Sequence, residues 1–348
     1  MNERRLSNFC TTMLVFSILV RVLLATGAEA HAQTLLSGML PDRPPQTAEA
    51  ERVWPVHIYM SEPQAESASA SAEAAPEPSG QALPPEPPEA EAPAAPPLCF
   101  DAAEADAIDI TGACSYEVDK AALLTRPSAL DFSGAGPKVL IVHTHTSEAY
   151  TQSDGWTYEE SDELRTADAA QSIVRVGDEI AAVLESHGIE TLHETALNDY
   201  PSYNGAYARM ETTIEDWLAQ YPSIQMVLDV HRDAALDYSG AQLAFTADVS
   251  GERCAQVMLV VGTDEGGLTH PDWEENLANA LKLQALLNRS APQLCRSIDL
   301  RTERFNQHLT HGSLLAEFGA AGNTLPEAIR AGRLFGEALA ALITGLGG

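Results

Sequence analysis

Two histidines and a carboxylate stand where one apolar run ends, in Val139-Leu-Ile-Val-His-Thr-His-Thr-Ser-Glu148. Four apolar residues, three of them β-branched, predict a buried strand, with His143, His145 and Glu148 just beyond it. Imidazole is the commonest metal ligand, and zinc sites favour His together with carboxylate. The competing expectation is a pair of solvent-facing loop histidines, because neither has the fixed helical spacing of a stronger zinc motif. Two later strand ends also carry polar groups. His231, Arg232 and Asp233 follow Ile224-Gln-Met-Val-Leu-Asp-Val230, and Glu317 lies in Leu314-Leu-Ala-Glu-Phe-Gly319. Parallel strands bring their carboxyl ends to one edge of a sheet, where ligands gather, so these groups can converge. A catalytic zinc keeps three protein ligands and one open position for water, and a nearby carboxylate can act as general base. Glu317 is embedded among apolar residues, where an unpaired charge is costly, so it needs a partner or a task.

Each group also has a structural role open to it. Glu317 can be an ion-paired acid with Arg301 or Arg304 as partner. Asp229 can be the working acid of its strand, with His231 only packing. Asp168 can cap the helix that follows it, Asp being a preferred N-cap. His187, His193, His270, His308 and His311 are scattered and are expected to do no chemistry.

The elements that must position these residues start at about residue 136. A strand over 138–142 is followed by a polar loop and a helix over 168–186, in which Ile173, Val176, Ile180, Val183 and Leu184 repeat at threes and fours. Gly188 stops it, and 189–193 is a second strand. A helix over 203–220 and a strand over 224–230 come next. Strand, helix, strand, helix, strand argues for a mostly parallel twisted α/β sheet with right-handed crossovers, flanked by helices. A hairpin around Ser250-Gly251, a helix over 272–289 and strands over 296–302 and 313–318 follow. A last helix opens at Asn323-Thr324 with Pro326 in its first turn.

Ahead of this domain the composition changes twice. Arg4 and Arg5 precede an apolar run, Phe9 to Ala25, so 1–32 is expected to be a signal peptide or a signal anchor. Residues 33–98 form an acidic linker, its 61–98 stretch rich in Ala, Pro, Glu and Ser, with too little apolar surface to fold. Residues 99–135 are a transition of low periodicity before a catalytic domain over 136–348. The leader places the rest outside the cytoplasm, anchored to a membrane or secreted. In 348 residues, 50 Asp and Glu stand against 20 Lys and Arg, which argues against nucleic acid as partner. Much of that acid lies in the linker. Five cysteines make no disulfide framework in a chain of this length and lack zinc-ribbon spacing.

Taken together, Val139 to Tyr150, Val176-Gly-Asp-Glu179, Asp229-Val-His-Arg-Asp-Ala234, Arg304-Phe-Asn-Gln307 and Gly312 to Thr324 resemble the stage II sporulation protein P family of endospore-forming bacteria, over about 136–345. That family is similar in turn to zinc-dependent N-acetylmuramoyl-L-alanine amidases. The resemblance implies an amidase-like fold and Zn2+. It implies hydrolysis of the amide between N-acetylmuramic acid and the first residue of the peptidoglycan stem peptide, with cross-link cleavage also attributed to the family. It further implies engulfment partners, the stage II sporulation proteins D and M. Carried over residue by residue, it makes Glu317 the catalytic base and His231 a zinc ligand. The first His is His145, with His143 the alternative, and the acid is Asp168, with Glu148 the alternative. Arg232, Tyr203, Asn204, Asn306 and Gln307 are candidates for holding glycan or peptide. A silent wall-binding scaffold and another zinc peptidase or deacetylase are the alternatives.

Overall fold

In the computed structural model, residues 98–347 and the short strand Val56–Ile58 (β1) are described. The segment expected to be a leader and most of the expected linker lie outside the described residues. The described residues fall in one compact unit.

Alternating or continuous apolar runs give nine further strands: β2 (Ile110–Gly112), β3 (Val139–Val142), β4 (Thr191–Glu194), β5 (Met226–Asp233), β6 (Thr246–Val249), β7 (Glu252–Ala255), β8 (Val257–Gly262), β9 (Ile298–Arg301) and β10 (Leu314–Ala320). The main sheet has the order β1-β4-β3-β5-β10-β8-β9-β2, and β6-β7 form a separate hairpin. β4, β3, β5 and β10 are mutually parallel, β8 runs antiparallel to β10, and β8, β9 and β2 are again parallel. The expected twisted, mostly parallel α/β sheet is therefore present. One boundary differs. Residues 99–135 are not merely a transition: β2 is an edge strand of the main sheet, and Ala105, Ile108, Leu123 and Leu124 are buried in the core.

Five α-helices flank the sheet: α1 (Lys120–Thr125), α2 (Val174–Ser186), α3 (Ala206–Gln220), α4 (Trp273–Ser290) and α5 (Leu325–Leu346). Strand parity decides what each covers, because successive side chains point to opposite faces. On the first face, Val139, Ile141, Leu228, Val230, Leu259, Leu300, Ala316 and Phe318 join the buried stripes of α2, α4 and α5 in one large core. On the second face, Leu140, Val142, Leu192 and Val227 pack with Met210, Ile214 and Trp217 of α3. Each such large apolar side chain contributes about 1.5–3 kcal/mol on full burial. α3 covers only β4, β3 and β5.

α5 starts with a capping box. Thr324 caps, Glu327 reaches back to its backbone, and Pro326 occupies the first turn. Just before it, Gly319 has φ +70, and a Cβ there would lie 2.5 Å from Asn323 Oδ1. The same Oδ1 accepts from the backbone N–H groups of Ala320 and Phe245. This corner fixes the end of β10, and with it Glu317, against the start of α5.

Candidate functional site

The second face gathers the chemistry. β5 presents Asp229 and His231 beside Val227, and β10 presents Glu317 directly opposite His231 in the ladder. The turn after β3 brings His145 against them, its ring edge-on to that of His231 with centroids 5.5 Å apart. Glu148 Oε2 lies 3.5 Å from His231 Nδ1 and accepts a 3.1 Å hydrogen bond from the backbone N–H of Arg232. His145, Glu148, His231 and Asp229 are all buried.

Each buried charge has a physical reason to be there. Asp229 accepts from the Thr144 N–H at 2.8 Å and from its hydroxyl at 2.6 Å. Its Oδ1 is 2.8 Å from His231 Nε2, close but out of line for a hydrogen bond. Burial opposes the charge on His231, yet Asp229 and Glu148 hold its pKa well above the ordinary value. Burial likewise opposes Glu148, but His231, Arg232 and His145 hold it at about 2. Glu317 is the exception. Burial pushes it up to about 8, with Glu148 and Asp233 adding to the rise and His231 opposing it. Its Oε2 is buried with no protein partner.

A further layer holds His145. Asp199 Oδ2 is 3.6 Å from His145 Nδ1 and accepts from Arg165 Nη1 at 2.6 Å and from the Ser147 hydroxyl at 2.8 Å. Burial raises the Asp199 pKa, but His145, Ser147 and Arg165 bring it below the usual value. Tyr203 stacks flat on the His145 ring at 4.4 Å, with the Arg165 guanidinium 4.9 Å from its centroid. Tyr207, from the first turn of α3, meets the same imidazole edge-on.

The donor set fits zinc in kind. Two donors at about 2.0–2.2 Å from a tetrahedral ion lie about 3.4 Å apart, close to the 3.5 Å between His231 Nδ1 and Glu148 Oε2. His145 Nδ1 is buried and faces the Asp199 carboxylate at 3.6 Å without closing a hydrogen bond. Among the described residues no three His, Cys, Asp or Glu side chains already surround one point at ligand distance. Joint ligation therefore requires a side-chain adjustment within the cluster.

Several residues singled out in the sequence lie elsewhere. His143 continues the parity of Val139 and Ile141, so it faces α2, not the cluster. Its Nδ1 donates to the Val230 carbonyl at 2.9 Å, and its Nε2 is 2.8 Å from His193 Nε2. Burial lowers its pKa to about 3, which keeps it neutral. Both nitrogens are engaged in the core, which removes His143 as a ligand candidate. Asp168 is exposed and accepts from the Ala170 N–H at 3.0 Å as the N-cap of a 3-10 turn at 169–171. Its capping role prevails over ligation. Arg232 is buried as a clamp, donating to the carbonyls of Ala149 at 2.9 Å and Leu164 at 3.0 Å, and is not presented to substrate. Gln307 is buried, bonded to the Gly262 N–H and the Val260 carbonyl of β8. Asn306 donates to the Tyr207 carbonyl. Both are structural. Asn204 is exposed on the loop before α3, and of the five substrate candidates Tyr203 sets its ring against the cluster while Arg232 reaches it only through its backbone N–H. Glu317 is not paired with Arg301 or Arg304, whose acids are Asp299 and Glu303, and Glu211. Sequence reasoning missed Asp199, Arg165 and Tyr207. Asp199 follows β4, so the strand-end rule that found the others would have found it.

Fold and site together define an α/β protein with a buried histidine–carboxylate cluster on one face of its sheet. The profile of the stage II sporulation protein P family matches residues 43–340, and the chain belongs to that family. It is 29% identical over 204 residues to the stage II sporulation protein P of Bacillus subtilis (strain 168), covering 56% of this chain and 48% of that protein. The chain thus spans about half the length of that relative. Among solved structures it is similar to the N-acetylmuramoyl-L-alanine amidase AmiC2 of Nostoc punctiforme, with 12% identity, a TM-score of 0.35, and coverage of 60% of this chain and 97% of that one. For the N-acetylmuramyl-L-alanine amidase Ami1 of Mycobacterium smegmatis the values are 13%, 0.34, 61% and 98%.

Proposed function

We propose that the chain is a zinc-dependent peptidoglycan hydrolase of the sporulation engulfment type, cleaving the amide between N-acetylmuramic acid and the L-alanine of the stem peptide. The supporting observation is the meeting of His145, Glu148, His231 and Glu317 on one face of the sheet in a member of this family. His145, Glu148 and His231 would hold the ion. When bound, it supplies a Lewis acid for the attacking water and the scissile carbonyl. Glu317 takes the proton from the water and returns it to the leaving amine. A carboxyl whose surroundings raise its pKa toward the working pH suits both halves of that transfer. Asp229 keeps the His231 ring turned so that Nδ1 faces Glu148. The Asp199–Arg165 pair and the Tyr203 ring steady His145 and shield the cluster from water. Cross-link cleavage would use the same groups on a second amide. The leader would keep the chain outside the cytoplasm, at the membrane or free of it, where peptidoglycan and the stage II proteins D and M are its partners.

The test uses the full chain with its zinc quantified, incubated with purified peptidoglycan, and the products read by mass spectrometry beside Glu317→Gln. Free stem peptides with an alanine amino terminus are expected. Glu317→Gln should keep its zinc and lose at least about 100-fold in turnover. Full activity in that variant would remove Glu317 from the chemistry, and zinc without turnover in the wild type would favour a wall-binding scaffold.

A further inference from the structure

Glu317 also forms the inner end of a second space. α3 stops over β5, and beyond it, among the described residues, the second face of β10, β8, β9 and β2 lines a groove of about 310 Å³. The register sets Leu315, Val260, Asp299 and Thr111 in one row across four strands, with Glu317 beside Met258 further along β10. The floor next to Glu317 is therefore apolar, and charged groups stand at both ends, Arg296 with Asp233 near Glu317 and Arg301 beside Gly262.

The two arginines of the groove differ. Arg296 is committed: its Nη1 is 2.8 Å from Asp233, and its guanidinium lies 3.8 Å from the centroid of Phe245. Arg301 is held more loosely, 3.5 Å from Asp299, 3.4 Å from Glu303 and 5.8 Å from the centroid of Phe305, with 39% of its side chain exposed. A guanidinium with long contacts can take a carboxylate in a bidentate pair, the geometry in which arginine is strongest. Arg301 stands two strands from Glu317 and pairs with Gly262, four positions along β8 from Met258. At about 4.8 Å between strands and about 3.3 Å per residue, the Cα atoms are about 16 Å apart. With the reach of the arginine, a bound carboxylate would sit about 10 Å from Glu317, or about three extended residues.

We propose that this groove holds the peptide arm of the substrate in extended form, and that Arg301 recognises a side-chain carboxylate about three residues from the scissile bond. The identity of the occupant rests on the hydrolase reading; the acid-selective groove rests on the geometry alone.

The experiment is calorimetric titration of the full chain with two synthetic stem peptides, identical except that side-chain carboxylates are free in one and amidated in the other. Turnover of the matching muropeptides is measured alongside. The acid form is expected to bind at least about tenfold tighter. In Arg301→Gln the two forms should bind alike, with KM for the acid form raised and kcat held. Arg301→Lys should retain part of the preference. Equal binding of both peptides by the wild type, binding of neither, or an undiminished preference in Arg301→Gln overturns the proposal. Acid-selective binding without hydrolysis would leave the groove and remove the hydrolase reading. Hydrolysis without acid selectivity would do the reverse.

Discussion

Replacing Lys282 by methionine should stabilise the fold at neutral pH and lose that advantage in alkali. Lys282 lies in α4 with 3% of its surface exposed. Its ammonium has one long contact, 3.4 Å to the carbonyl of Leu123, an oxygen that also accepts from the Arg126 N–H. Burial lowers its pKa from 10.5 to about 8, Glu275 opposing and Arg126 adding to the fall. At about 1.4 kcal/mol per pH unit, that displacement corresponds to at most about 3 kcal/mol against the folded state. The sign follows from proton counting. Below pH 8 both states carry the proton and the whole penalty applies. Between 8 and 10.5 the unfolded chain binds more protons, so stability rises with pH, and above 10.5 the penalty is gone. Methionine fills most of the same apolar path, one atom shorter, and removes the charge. Lys282→Met should therefore gain about 1–3 kcal/mol at pH 7, or about 3–10 °C in midpoint for a domain of this size. Urea unfolding of wild type and variant at pH 7 and pH 10.5 measures the difference, in which other titrating groups cancel. A variant no more stable at pH 7, or equally favoured at both pH values, would refute the account.

The remaining predictions concern the site and its support. A Cβ at Gly177 of α2 would lie 2.6 Å from His193 Nε2 and 2.7 Å from His143 Nε2; Gly177→Ala should cost about 1–3 kcal/mol in urea unfolding, and an unchanged midpoint would mean the paired imidazoles have room to move. Asp168→Ala should lose only a cap, about 0.5–2 kcal/mol, and keep its zinc by metal analysis, whereas Glu148→Gln should weaken zinc binding markedly. The opposite pattern would restore Asp168 as the ligand.

The strands were readable because apolar runs declare themselves, and the convergence of His231, Glu317 and His145 was readable because parallel strands share an edge. The choice between His143 and His145 was not, because it depends on parity. His143 extends β3 and inherits the face of Ile141, while His145 sits in a turn that parity does not govern. The same rule turns Arg232 away from the cluster that His231 enters. Asp199 and Arg165 lay hidden because loop residues carry no period. Residues 99–135 carry little periodicity because β2 is three residues long and α1 six, too short for a periodic signal.

The division of labour between the two faces of β5 bears on how the family can diverge in length. Along this strand Leu228 and Val230 fill the core under α2, while Asp229 and His231 serve the cluster. A one-residue insertion or deletion within the strand would exchange the two sets, driving carboxylate and imidazole into the apolar core and setting leucine and valine opposite Glu148. The pairing of Glu317 with His231 thus fixes the register of β5 against β10.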